Sequence, residues 1–160
     1  MHEMLERYVH TNNFDTPAHD APIAHKMANL IISKGFIYLD EVWGVEQNIA
    51  YPNEYAGTMD CVGVFRKKPT ILDFKQTNKP KREEWVEDYY LQLTAYICAH
   101  EKQYGKIDGG TILMASTGLV FQEFELSGSK LDEYKDKWWK RVEEFKTNHA
   151  QPRQESLQKV

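Results

Sequence analysis

The chain has 160 residues, 41% hydrophobic and 28% charged, with a net charge of −4. That is long enough for one domain with a sizeable core, residues 1–160, and too apolar for global disorder. The negative balance argues against a general basic coat for duplex nucleic acid and leaves only local basic rims to bind it.

The first ten residues, MHEMLERYVH, form a short helix that Thr11-Asn12-Asn13 breaks, and residues 1–15 carry no assignable role. Thr16-Pro17 is a good helix entry, Thr as N-cap and Pro in the first turn, and Gly35 is the stop. Ile23, Met27, Leu30 and Ile31 make its apolar stripe. His25 lies on another face with Ala21, Ala28 and Ile32, small and apolar neighbours that leave it not obviously solvated. Residues 36–50 read as one or two strands interrupted near Gly44.

Residues 55–65 and 70–75 are β-rich runs joined by a short polar turn, which predicts an antiparallel hairpin. On the second strand Leu72 and Phe74 face one way, and Ile71, Asp73 and Lys75 the other. Asp60 sits in the first strand between Met59 and Cys61, where a lone carboxylate on a packed surface needs a partner. Two converging carboxylates supply the hard oxygen ligands that Mg²⁺ and Mn²⁺ prefer, and a lysine beside them can offset charge building on a phosphate. A bare Asp-x-Lys triplet is more often an ordinary surface pair, so its neighbours decide the reading.

Two basic runs flank this region. Arg66-Lys67-Lys68 belongs to the hairpin turn, where a merely solvated role is the simpler reading, and Lys79, Lys81 and Arg82 form a candidate basic rim. Residues 83–104 follow as a long amphipathic helix on which Trp85, Tyr89, Gln92, Leu93, Tyr96 and Ile97 recur. Trp85, Leu93 and Ile97 are expected in the core. Gln92 is harder to explain there, because a buried amide needs partners. Tyr89 and Tyr90 offer stacking surfaces, worth ~1–3 kcal/mol per base when used. Strands at 111–116 and 119–126 and a last helix at 127–149, with Leu131, Tyr134, Trp138, Val142 and Phe145 inward, complete the pattern; residues 150–160 are expected to fray.

Gly57-Thr58-Met59-Asp60, Asp73-Phe74-Lys75 and Gln92-Leu93-Thr94-Ala95-Tyr96 together resemble the three-part signature of the RecB-type branch of the PD-(D/E)xK nuclease superfamily. Within that branch residues 60–81 and 91–96 look most like the mitochondrial genome maintenance exonucleases and their small bacterial and phage relatives. The resemblance implies an α/β fold, a mixed central β-sheet flanked by helices, with the site at the sheet's opening. It implies a divalent-metal DNA exonuclease acting on single-stranded DNA, with Asp60, Asp73, Lys75 and Gln92 catalytic. Mg²⁺ or Mn²⁺ would be held by Asp60, Asp73, the Phe74 carbonyl and His25, and by Glu46 if that first-strand acid turns inward. Such nucleases carry a metal-binding histidine on the helix before the first strand, often with a glutamate one turn later; His25 is the best match, His19 the fallback, and Asn29 departs from the glutamate. Tyr96, Gln92, Tyr89, Lys79, Lys81 and Arg82 would contact DNA. An endonuclease, an RNA-directed nuclease and a non-catalytic nucleic-acid-binding module are the rival readings.

Cys61 and Cys98 read as reduced core thiols and fall short of the roughly four ligands that an iron–sulfur cluster takes. No signal or transit segment is apparent and no run reaches membrane-spanning length, so an intracellular, cytoplasmic protein of a bacterium or phage-infected cell is expected, with no membrane partner. Strand polarity and oligomeric state leave no mark in the sequence.

Overall fold

The structure is a computed structural model and describes residues 1–12 and 22–158, with side chains through residue 148. Thr16-Pro17 and His19 lie outside the described residues. Helix α1 (His2–Thr11) ends at Asn12, whose φ of 55° is the left-handed geometry that asparagine tolerates best after glycine. Helix α2 (Ile23–Lys34) buries Met27, Ala28, Ile31 and Ile32. The expected stripe is therefore rotated, with Ile23 exposed and the small Ala28 in the middle of the packed face.

Strand β1 (Leu39–Tyr51) is continuous, and the expected interruption near Gly44 is a register irregularity between Val42 and Gly44. After it come β2 (Tyr55–Phe65), β3 (Lys68–Thr77), helix α3 (Glu87–Gln103), β4 (Gly109–Ser116), β5 (Phe121–Ser127) and helix α4 (Gly128–Gln158). The five strands lie in chain order; β3 and β4 are parallel, the other neighbours antiparallel. A parallel pair needs a crossover, and α3 supplies it.

Helices α3 and α4 cover one face of the sheet around Val62, Ile71, Leu93, Ile97, Ile112 and Leu131. Helices α1 and α2 cover the other, around Leu5, Ile31, Leu72, Phe74 and Leu113. The result is an α/β sandwich with a mixed sheet, as expected.

Three details depart from the sequence reading. A 3-10 turn at Glu83–Trp85 precedes α3, so the helical phase starts at Glu87; Val86 takes the buried place and Trp85 is 57% exposed. Phe145 is exposed, because α4 has no buried side chain beyond Val142 among those described. The α4 backbone is helical as far as Gln158, beyond the helix end expected at His149.

Candidate active site

The β2–β3 ladder runs from Phe65 opposite Lys68 to Cys61 opposite Leu72 and stops there, while β3 continues beside β4 as far as Thr77 opposite Ser116. The two strands part at Asp60 and Asp73. A side chain replaces the next rung: the Phe74 N–H donates to Asp60 Oδ2 at 2.8 Å. At the same point β2 breaks its alternation, since Met59 packs under α3 and α4 but Cys61 packs under α1 and α2. On the neighbouring strand Glu46, between the Val45–Cys61 and Gln47–Met59 pairs, has a φ of 48°. A left-handed non-glycine residue inside a strand is a local distortion, and it lies across from Asp60.

Asp73 is 4% exposed, and its Oδ2 accepts no hydrogen bond. The Lys75 ammonium comes within 3.2 Å of it, an ion pair without the alignment of a hydrogen bond. Burial, opposed by Lys75 and reinforced by Asp60, pushes the Asp73 carboxyl up to about 7. Asp60 goes the other way: burial would raise it, but the His2 imidazole beside it and a hydrogen bond from the Phe74 N–H hold it below the usual carboxylate range. Two neighbouring acids thus have opposite proton affinities because one is supplied with donors and the other is not.

Lys75 donates to Gln92 Oε1 at 3.1 Å, and Gln92 Nε2 donates to the Tyr96 hydroxyl at 3.0 Å. These two bonds give the half-buried glutamine the partners that the sequence demanded. Gly57 closes the arrangement from β2: a Cβ there would meet Tyr96 Cε1 at 2.7 Å, so only glycine leaves the ring its place. The Tyr89 ring lies under the Lys75 ammonium, 4.8 Å from nitrogen to ring centre.

The imidazole at this cluster is His2. Its Nε2–H donates to the Phe74 carbonyl at 2.6 Å and lies 3.6 Å from Asp60 Oδ2. The Asp60 carboxylate beside it, against some cost of burial, raises the His2 pKa. His25 sits in the first turn of α2 with its backbone N–H on the Pro22 carbonyl. Glu6 stands one turn after His2, whereas Asn29 stands one turn after His25.

A divalent cation fits these donors. The orphaned Asp73 Oδ2, Asp60, the Phe74 carbonyl and the His2 imidazole are hard oxygens and one nitrogen of the kind Mg²⁺ and Mn²⁺ accept. Among the described residues no three His, Cys, Asp or Glu side chains cluster tightly enough to cage an ion by themselves. The cradle is therefore open, and Mg²⁺ commonly keeps several waters in such a site. Glu46 is exposed, and no contact links it to these donors.

The basic residues are placed differently. Lys81 is clamped to β5 through its backbone, N–H to Gln122 Oε1 and carbonyl to Gln122 Nε2, both at 2.8 Å. Lys79 is exposed, its carbonyl accepting from Thr77. The Arg82 guanidinium lies 5.2 Å from the Trp85 ring centre and 3.8 Å from Glu84. Cys61 and Cys98 are free, buried thiols, and no described helix is long and apolar enough to cross a membrane.

No protein-family model matches the chain. It is 31% identical over 100 residues to mitochondrial genome maintenance exonuclease 1 of Xenopus tropicalis, a match covering 58% of this chain and 28% of that protein. The mouse protein of the same name is 30% identical over 99 residues, covering 58% of this chain and 29% of its own length. The matched region thus spans under a third of either relative. A solved structure of a candidate exonuclease from Eubacterium rectale superposes with a TM-score of 0.56 at 14% identity, covering 88% of this chain and 61% of that one, which is a likeness of fold. The chain is thus similar in sequence to part of two mitochondrial genome maintenance exonucleases and in fold to one solved structure.

Proposed function

We propose that the chain is a single-domain, divalent-metal-dependent DNA exonuclease that prefers single strands and serves DNA replication, repair, recombination or phage DNA metabolism. The observation that carries this is the buried Asp73 carboxylate with an unbonded Oδ2, facing Lys75 where β2 and β3 part. Burial of a carboxylate oxygen without a hydrogen bond is costly, and the Lys75 ion pair offsets that cost only in part, which favours a second cation at the site. Mg²⁺ or Mn²⁺, held by Asp60, Asp73, the Phe74 carbonyl and His2, would supply Lewis-acid stabilisation of charge on phosphate and a nucleophile at neutral pH.

The remaining work falls to the chain's own groups. The Lys75 ammonium, fixed between Asp73 and Gln92, points a positive donor at the oxygens of a scissile phosphate or of an attacking water. Gln92 holds that lysine in place through its Oε1. The Tyr96 hydroxyl accepts from Gln92, which leaves its own hydrogen to donate to a phosphate oxygen. Tyr89 packs beside Lys75 and limits where the ammonium swings. The His2 Nε2 proton sits on the Phe74 carbonyl beside Asp60, so cation binding to these groups competes with that proton and weakens as pH falls.

The test is incubation with Mg²⁺ and separately with Mn²⁺ on single-stranded oligonucleotides labelled at either end, with Asp73→Ala alongside. Progressive shortening that the variant lacks is the expected result, and the label released first gives the polarity. Cleavage of circular single strands would point instead to an endonuclease, preference for RNA to the RNA-directed reading, and binding without cleavage to the non-catalytic module. Full activity in excess EDTA would remove the metal from the mechanism.

A further inference from the structure

Tyr89, Gln92 and Tyr96, three and four positions apart, share one side of α3, and the 3-10 turn before the helix extends that line in chain order to Trp85. The inner end of that line is the cluster around Lys75. Its outer end is an indole 57% exposed, with the Arg82 guanidinium 5.2 Å from the ring. Core packing does not account for Trp85, because its neighbour Val86 is the buried residue there.

Charge is sorted around this line. The acids of the same segment turn to α4 and are paired with its cations: Glu83 with Lys130, Glu87 with Lys137 and Asp88 with Arg141. Glu84 alone of these acids pairs with Arg82, loosely at 3.8 Å, both side chains more than two thirds exposed. The opposite side keeps Arg82, Lys75 and the aromatic rings, and the Lys81 backbone clamp on Gln122 holds the segment in position. A line of rings beside fixed cations, ending at a phosphate-cleaving site, is how proteins bind single strands with little regard to sequence.

We infer that Trp85 is a stacking platform for an unpaired base of a single-stranded DNA substrate, with Arg82 on the adjoining backbone and Tyr89 between the platform and the site. The inference rests on the nuclease reading for its substrate. The nine steps of α3 from Glu87 to Tyr96 rise roughly 14 Å and the two before it in the turn about 4 Å, and a strand advances at least ~3.4 Å per nucleotide. The stacked base therefore lies within about five nucleotides of the scissile phosphate.

The experiment measures the affinity of end-labelled oligo(dT) by fluorescence anisotropy in EDTA, for wild type, Trp85→Ala and Trp85→Phe, with a single abasic residue walked along the strand. The exposed position lets both variants fold, which circular dichroism verifies. Trp85→Ala is expected to weaken binding about tenfold, within the roughly 5- to 150-fold range of one lost stack, and Trp85→Phe to restore most of it. One abasic position should weaken wild type by a similar factor and have no further effect on Trp85→Ala. Equal affinities for wild type and Trp85→Ala, or losses that multiply at every abasic position, would overturn the platform. Cleavage is assayed separately: a wild type that binds as expected but never cuts defeats the nuclease reading and leaves the platform standing.

Discussion

The two ends of the β2–β3 hairpin both carry charge, and they treat it in opposite ways. At the turn, Arg66 and Lys67 have left-handed φ values of 49° and 70°, the geometry of a tight two-residue hairpin turn usually given to Asn and Gly. Their side chains are tied off: Arg66 donates twice to Glu123 and lies over Tyr38, while Lys67 donates to Asp40 from both backbone and ammonium. Some 17 Å along β3, at ~3.3 Å per residue, Asp73 is buried with one oxygen lacking a hydrogen bond, beside the half-buried Lys75. Charges matched within the chain hold a turn together. Charges left unmatched where strands part are the ones available to a ligand.

The sharpest way to break this contrast is at Asp73. Asp73→Ala or Asp73→Asn is expected to lower cleavage by about 10³-fold or more, measured as kcat/KM on single-stranded oligonucleotides, with the fold retained. The sign of its effect on stability is opposite to that of an ordinary salt-bridged acid. Its carboxyl is raised from 3.8 to about 7 in the folded state, so the folded chain binds more protons than the unfolded one across that window. Metal-free stability therefore falls as pH rises from about 4 to 7, and Asp73→Asn flattens that fall in urea titrations. A slope unchanged in the variant would show that Asp73 is not the group responsible.

A second intervention reaches the same end without touching a charge. Gly57→Ala must push the Tyr96 ring, and with it Gln92 and the Lys75 ammonium, out of register. An activity loss of roughly 10²-fold is expected, with a destabilisation of ~1–3 kcal/mol from overpacking. Gly57→Ala in a Tyr96→Phe background should lose no less stability, since the clash is with the ring edge rather than the hydroxyl.

Mn²⁺ or Mg²⁺ is expected to raise thermal stability, by about 2.7 kcal/mol at a hundredfold excess over its dissociation constant. Differential scanning fluorimetry would read it, and Asp60→Asn should abolish most of the shift. The smallest effect belongs to the hairpin turn: Arg66→Ala, whose ion pair is half exposed, should cost ~0–1 kcal/mol and leave cleavage unchanged. A large activity loss there would contradict the division between the two ends.

Local pattern determined much of this protein. Alternation on β3 assigned Leu72 and Phe74 to one face and Asp73 and Lys75 to the other, because a strand's period of two is set by its backbone. The four-residue spacing of Gln92 and Tyr96 put both on one side of α3, and an amide at that position announced a need for partners that Lys75 and Tyr96 meet. The resemblance carried by these motifs was enough for a mixed sheet flanked by helices.

What only the tertiary structure decided depends on contacts between distant parts of the chain. The His2 ring meets a carbonyl 72 positions away, through the packing of α1 against the far face of the sheet, and no local period encodes such a meeting. The phase of α3 was fixed by the 3-10 turn that moved Trp85 out and Val86 in, a shift of one residue that propensity does not resolve. The parting of β2 from β3 was likewise invisible, since both runs read as good strands through Asp60 and Asp73. It takes the Asp60 carboxylate standing in for a backbone rung to end the ladder there, and that substitution exists only once the strands are side by side.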